Sequence, residues 1–367
     1  MTDQSTRTQR ITALRERMLP AGIELTAIAP TDNLLYLLGF APHPDERACL
    51  LLIGPEREAM LMPNLNAEQS AAAVPELELI RWIDEAGPDT ALTAALHATG
   101  SAAAKTIAVD PEMRGDHLLL LQGALPGARA VDASTVLGPL RAVKDAAEIA
   151  LLQRASDGAD AAMEAAFAAL KPGLTELQIA DVIGRAFSEH ESTVEFAIVA
   201  GGPHGAYPHH HAGPRELQAG EPVLLDIGAR RASYCSDMTR MAFIGEPSAR
   251  YLEVHAIVEG AVQAALAAAR PGASCAAVDA AARAVITEAG YGDYFVHRTG
   301  HGLGISGHEQ PWIMAGDERL LEVGHVHSIE PGIYLPGEFG VRLEEIVHIT
   351  PTGCERFSSL PREVRVV

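Results

Sequence analysis

Basic charge, cysteine and long apolar runs are all scarce in this chain. Its 28 lysines and arginines face 48 aspartates and glutamates, a formal charge of −20 over 367 residues. A surface of that sign repels phosphate backbones, which argues against a nucleic-acid partner. The four cysteines, Cys49, Cys235, Cys275 and Cys354, are scattered and form no CxxC pair. Reduced thiols in a cytoplasmic protein are therefore expected rather than a disulfide framework. No apolar run reaches the roughly 18 residues that a membrane span needs, so no membrane partner is expected. The first residues, MTDQSTRTQRITALRERM, hold none of the continuous apolar character of a secretory signal. What remains is 48% hydrophobic residues, enough for a sizeable core, on a chain long enough for two domains.

The pattern of elements supports that division. Ile11, Leu14 and Met18 recur at helical spacing, predicting a helix over 7–19 that Pro20 and Gly22 end. Short apolar segments follow, IELTAIA, LLYLLGF, ACLLLIG, EAMLMP, TIAVD and ARAVDA, which read as strands or short buried elements. Residues 1–135 thus form a mixed α/β domain. The character changes in 136–367. Long helical patterns cover 140–170 and 175–190, the second capped by Thr175, and then 249–270 and 274–290, the last capped by Ser274 and closed by Gly290. Strand-like segments follow each pair of helices, as in a duplicated α/β unit. The expected class is α/β (α+β), in two domains.

Chemistry concentrates in the second domain. The stretch HRTGHGLGISGHEQP sets His297, His301 and His308 among glycines, which lets main chain approach closely beside proton-carrying, metal-ligating rings. In VLLDIGARRASYCSDMTRMAF a turn-prone ARRAS separates two strand-like runs, so a hairpin would bring Asp226 and Asp237 together. An unpaired carboxylate in so apolar a run is costly, and a nearby cation removes the cost. In SIEPGIYLPGEFGVRLEEIVHIT, Glu330 and Glu344 can converge across a strand–loop–strand unit. Period-two alternation puts Arg342 and Glu344 on one face and Glu345 on the other, toward solvent or an outer position. Four carboxylates and one imidazole suit two adjacent divalent cations of transition type. A thiolate ligand from Cys235 stays open as an alternative. So does a surface metal-catching role for His209, His210 and His211.

The segments GPHGAYPHHH, LLDIGARRASYCSDMTR, HRTGHGLGISGHEQP, SIEPGIY and FGVRLEEIV resemble, in order, the signatures of the pita-bread metallopeptidases, which include prolidase, aminopeptidase P and methionine aminopeptidase. RITALRERMLPAGIELTAIAPTDNLLYLLGF is similar to the creatinase/prolidase-type N-terminal domain. The resemblance implies that Asp226, Asp237, His301, Glu330 and Glu344 bind two divalent metal ions, with Asp237 and Glu344 bridging. Manganese is favoured, with cobalt or zinc possible. It implies catalytic parts for Glu330 as proton shuttle, for His209 and His308 beside the substrate, and for Arg342 as the orienter of a ligand. His210 and His211 then read as passengers and His297 as a packed histidine. The implied activity is that of an Xaa-Pro dipeptidase, a hydroxide between the ions attacking the bond before proline in dipeptides or short peptides. A cytoplasmic homodimer is implied too. An Xaa-Pro aminopeptidase acting on longer peptides is the alternative. A creatinase-like enzyme or a metal-free binding module fits the full ligand set less well.

This chain departs from the pattern where some prolidases carry an arginine after the HExP segment, suited to a dipeptide's carboxylate; Trp312 stands there. A replacement clamp is expected in APHPDERA, from Arg47 or Asp45.

Overall fold

The computed structural model describes residues 3–367, and the chain divides into two units between Arg141 and Ala142. The first unit opens with α1 (Gln4–Ala21), which starts earlier than periodicity predicts because the Asp3 carboxylate accepts the Thr6 amide at 2.8 Å. Pro20 lies inside its last turn rather than ending it. Glu16 and Pro20 both face outward, so the carbonyl that proline leaves unbonded reaches water. The LLYLL run, expected as a strand or short buried element, is a helix, α2 (Asp32–Leu38). Thr31 Oγ1 accepts the Asn33 amide at 3.2 Å to start it, and Gly39 closes it.

Six strands make one mixed sheet: β1 (Leu25–Ile28), β2 (Leu50–Ile53), β3 (Glu58–Pro63), β4 (Leu79–Trp82), β5 (Thr106–Val109) and β6 (Arg129–Asp132), in the order β4-β3-β2-β1-β5-β6. Beyond the strands run α3 (Asn64–Ala73), α4 (Asp89–Ala98), α5 (Gly115–Ala124) and α6 (Ser134–Ala142). Leu25, Leu50, Leu52, Leu61, Leu92, Leu96, Ile107 and Leu121 are buried together between sheet and helices. Trp82 fills the edge of that core, with its indole N–H satisfied by Ala48 O at 2.9 Å.

In the second unit the long pattern expected over 140–170 breaks before α7 (Ala146–Ala169). Asp145 makes a capping box there, its Oδ1 accepting the Glu148 amide at 2.9 Å while Glu148 Oε2 accepts the Asp145 amide at 3.0 Å. The helix α8 (Glu176–Glu189) starts from a second capping box, Thr175 with Gln178. These two helices pack on the antiparallel strands β7 (Thr193–Gly201), β8 (Pro222–Arg231) and β9 (Tyr234–Phe243). A second pair, α9 (Ala249–Ala268) and α10 (Cys275–Glu288), starts from Ser248 and Ser274.

That pair packs over the second run of strands. These are β10 (Gly300–Gly302), β11 (Glu309–Ile313), β12 (Val326–Ile329), β13 (Gly332–Leu335), β14 (Phe339–Arg342), β15 (Glu345–Thr350) and β16 (Gly353–Arg356). β10, β11, β12, β15 and β16 share a sheet in the order β11-β10-β12-β15-β16, β13 pairs with β14, and β17 (Arg365–Val366) joins the β7–β9 sheet beside β9. Helix pair and strands alternate twice. The two strand sets meet inside the unit, where the Glu344 amide bonds Thr239 O, and the chemistry-bearing residues lie there. All four cysteines are free. Among the described residues no helix is long and apolar enough to cross a membrane.

Candidate metal centre

Each acidic side chain of the centre is set by backbone pairing. In the β8–β9 hairpin Asp226 stands opposite Thr239 and Asp237 opposite Gly228, so the two carboxylates project from one face with a glycine between them. β10 carries His301 between two glycines because its neighbours leave no room for anything larger. A Cβ on Gly300 would lie 2.0 Å from Ser328 O, and one on Gly302 2.2 Å from Gln310 O. The glycines that flank the imidazole thus let β10 fit between β11 and β12. Glu330 follows β12. Glu344 sits between β14 and β15, where its amide reaches Thr239 O at 3.2 Å and ties it to β9.

The side chains converge. His301 Nε2 lies 3.1 Å from Glu330 Oε1 and 3.7 Å from Asp237 Oδ2. Donor atoms of Asp226, Asp237 and Glu344 lie within 4.8 Å of one another, as do those of His301, Glu330 and Glu344, and those of Asp237, His301 and His308. Glu344, Asp237 and His301 each belong to two of these sets. Asp226, Asp237, His301 and Glu344 are all buried. Burial first, and then the charges of Asp226 and Glu330, raise the Asp237 carboxyl well above its usual range. Burial and the charges of Asp237, Glu330 and Asp226 do the same to Glu344. Asp226 Oδ1 is buried with no hydrogen-bond partner. Such a crowd of acids, one with an orphaned oxygen, fits divalent cations, which would reverse each of these penalties.

Neighbouring groups hold the acids in place. The Arg342 guanidinium donates to Asp226 Oδ2, to Thr239 Oγ1 at 3.1 Å and to Tyr334 OH at 2.8 Å. Thr239 Oγ1 donates onward to Glu344 Oε2 at 2.9 Å. Ser328 Oγ donates to Glu330 Oε1 at 3.1 Å and accepts the His301 amide at 2.9 Å. Tyr334, Thr239 and Ser328 escaped the sequence reading; their only signal is proximity in sequence to Arg342, Asp237 and Glu330. His297 packs as expected, its Nε2 2.7 Å from Tyr334 OH. Cys235 is turned away, its thiol donating to Ile305 O at 3.2 Å.

A cavity of about 1130 Å³ opens over the cluster, lined by Asp226, Asp237, His301, Glu330, Arg342 and Glu344 together with His209, His308, Arg298 and the apolar Phe196, Ile198 and Val296. His308 stacks near His301, ring centroids 3.9 Å apart. Desolvation, followed by the charges of His301 and Arg298, pushes its pKa down to about 4. Trp312 is not among the lining residues. Its ring instead supports the Arg298 guanidinium, 4.4 Å from the centroid. Asp45 and Arg47 belong to the first unit, where Arg47 bonds Asp84 twice at 3.0 Å and Asp45 at 3.3 Å.

One expectation is narrowed and one corrected. Of the two places expected for Glu345, solvent or an outer position, the structure gives the second: it is 1% exposed, and its Oε1 accepts from Arg240 at 3.0 Å, Arg356 at 3.3 Å and Arg362 at 2.7 Å. His210 is not a passenger, because its ring bonds the buried carboxylate of Glu176 at 2.9 Å.

Comparison with known proteins agrees with this arrangement. Residues 150–351 match the model of metallopeptidase family M24, and residues 10–143 match that of the creatinase/prolidase N-terminal domain. A probable dipeptidase PepE of Mycobacterium tuberculosis is 41% identical over 353 residues, 95% of this chain and 93% of the relative. An Xaa-Pro dipeptidase of Lactobacillus delbrueckii subsp. lactis is 31% identical over 94% of this chain and 95% of its own length. The crystal structure of dipeptidase PepE from Mycobacterium ulcerans superposes with a TM-score of 0.94 at 39% identity, over 100% of this chain and 99% of that one.

Proposed function

Because the chain belongs to metallopeptidase family M24 and carries the creatinase/prolidase N-terminal domain, we propose that it is a metal-dependent Xaa-Pro dipeptidase of the cytoplasm, working as a homodimer. The carrying observation is the convergence of Asp226, Asp237, His301, Glu330 and Glu344, all buried except the half-buried Glu330, in overlapping donor groups. In this reading these five residues would hold two divalent cations, with Asp237 and Glu344 the residues that the family resemblance puts between them. The predominance of carboxylate oxygen over nitrogen favours manganese above zinc or cobalt. When bound, the ions supply Lewis acidity and lower the pKa of a shared water.

The chain's own residues do the rest. Glu330 lines the cavity with its Oε1 between His301 and Ser328, where it can pass a proton from water to the leaving nitrogen. That nitrogen belongs to proline and carries no hydrogen of its own, so the bond does not break cleanly without such a donor. His209 and His308 line the same cavity and donate N–H to the oxygen that gains charge. Arg342 fixes Asp226 by direct contact. Phe196, Ile198 and Val296 offer an apolar wall to a pyrrolidine ring. For the substrate carboxylate, Arg298 is the lining arginine left available, since Arg342 is tied to Asp226. A lid role for Asp45 and Arg47 would first require Arg47 to leave Asp84.

One observation favours a second reading. The cavity exceeds what a dipeptide fills, which suits an aminopeptidase on longer Xaa-Pro peptides. The test is hydrolysis of Ala-Pro against Ala-Pro-Ala, using chelated enzyme with and without added Mn²⁺. Metal-dependent cleavage confined to Ala-Pro, lost on Arg298→Leu and kept on Arg47→Ala, is the expected result. Cleavage of Ala-Pro-Ala would transfer the assignment to the aminopeptidase, and full activity without metal would refute both. Light scattering of the purified protein tests the dimer.

A further inference from the structure

A second set of metal-type donors lies outside the five residues described above. Glu176 opens α8 with its side chain fully buried, 0% exposed. Each of its oxygens is held by one backbone amide and faced by one imidazole. Oε1 accepts from the Gly201 amide at 3.1 Å and lies 2.8 Å from His204 Nδ1. Oε2 accepts from the Gly213 amide at 3.1 Å and lies 2.9 Å from His210 Nε2. The two rings are 4.4 Å apart and tilted by 40°. One ligand-type atom from each of the three residues lies within 4.8 Å of the others.

We propose that Glu176, His204 and His210 form a third metal site, separate from the dinuclear centre, that takes one borderline transition ion such as zinc. Two imidazoles and a carboxylate are a zinc-type donor set, in contrast to the oxygen-rich centre beside it. The amides of Gly201 and Gly213 fix the plane of the carboxylate, which is how ligating acids are held. The His204 side chain is 34% exposed and that of His210 14%, which gives an ion an entry path and leaves a coordination position for water. Arg215, the nearby cation, is neutralised by Glu221 at 2.8 Å.

Ligation needs each ring to turn a lone pair toward the ion. In the metal-free arrangement His204 Nδ1 and His210 Nε2 donate to the carboxylate. With an ion bound, those nitrogens present their lone pairs and the proton of each ring resides on the other nitrogen, His204 Nε2 and His210 Nδ1. His204 and His210 also bracket Tyr207, Pro208 and His209, which line the cavity. An ion there pins the segment that delivers His209.

The alternative is a purely structural cluster of hydrogen bonds, and two substitutions separate the cases. Asparagine's amide nitrogen can occupy the place of a histidine Nδ1, and glutamine's that of Nε2. His204→Asn and His210→Gln therefore keep the bond to Glu176 while removing a good metal ligand. Holoenzyme dialysed against zinc and then against metal-free buffer would be analysed for metal per chain. The expected count is three in the wild type and two in each variant. A wild type that retains two, or a variant that retains three, overturns the proposal. A zinc-edge anomalous map of wild-type crystals gives an answer even if the variants fold poorly: a peak among Glu176, His204 and His210 supports the site, and peaks confined to the carboxylate cluster refute it.

Discussion

Glu344 and Glu345 are neighbours with opposite surroundings, and replacing each by glutamine should have opposite consequences. Among the described residues Glu345 is the carboxylate ion-paired with Arg240, whose side chain is 1% exposed, and it also takes Arg362 at 2.7 Å. Its loss leaves a buried guanidinium without a counter-charge, which costs about 3–5 kcal/mol. In a domain of this size that lowers Tm by roughly 6–20 °C. Glu344 is instead crowded by Asp237, Glu330 and Asp226 and is pushed toward its neutral form. In metal-free protein a neutral glutamine therefore relieves repulsion, and the Tm should hold or rise. With metal the order reverses: Glu344→Gln loses the ligand shared between the two donor sets, while Glu345→Gln keeps its ions. The assay is calorimetry of chelated protein, paired with a metal titration of each variant. A metal-free Glu344→Gln that melts as low as Glu345→Gln would refute the reasoning, as would a Glu345→Gln within about 1 kcal/mol of wild type, the scale of an exposed pair.

Other outcomes follow from single contacts. His308→Ala should keep its metal content and lose about 10²–10³-fold in kcat on Ala-Pro, the scale of one lost oxyanion donor; a metal count that falls with the rate would contradict that role. Gly300→Ala places a methyl group 2.0 Å from Ser328 O, so it should destabilise by about 1–3 kcal/mol and move His301, read as weaker metal binding. His327 is buried, with Nε2 unpartnered and burial pushing its pKa down to about 4. Its unfolded form takes up a proton below its ordinary pKa of about 6.5. Stability is then complete above that pH and falls as pH drops toward 4, by about 2 kcal/mol at pH 5. Denaturant titrations at pH 7 and pH 5 should show a smaller difference for His327→Leu than for wild type; an equal difference would contradict the assignment.

What sequence could reveal depended on how local the cause was. Asp226 and Asp237 were legible because one hairpin joins them, and Glu330 and Glu344 because one strand–loop–strand unit does. The helix starts at Thr175 and Ser274 were legible as caps; Ser248, which starts α9, is a cap of the same kind that was not named from the sequence. The break before α7 was also written locally, in the Asp145–Glu148 box, but was masked by the helical periodicity on both sides. α2 was legible as a short buried element but not as a helix, because a short run of leucines has no period that distinguishes helix from strand. Glu345 shows the limit most clearly. Alternation names the opposite face, but not that Arg240 arrives there from β9 and Arg362 from beyond β16. Glu176 met His204 and His210 in the same way, through the fold of β7 against α8 and the chain that follows, with no spacing in the sequence to announce it.

Asp226, Asp237, His301, Glu330 and Glu344 are proposed to hold two ions. The most direct measurement is a manganese-edge anomalous map from crystals grown with Mn²⁺. Two peaks roughly 3.5–4 Å apart, the separation of paired catalytic ions, with Asp237 and Glu344 reaching both, are the expected result. A single peak, or two that leave Glu344 unbound, would contradict it.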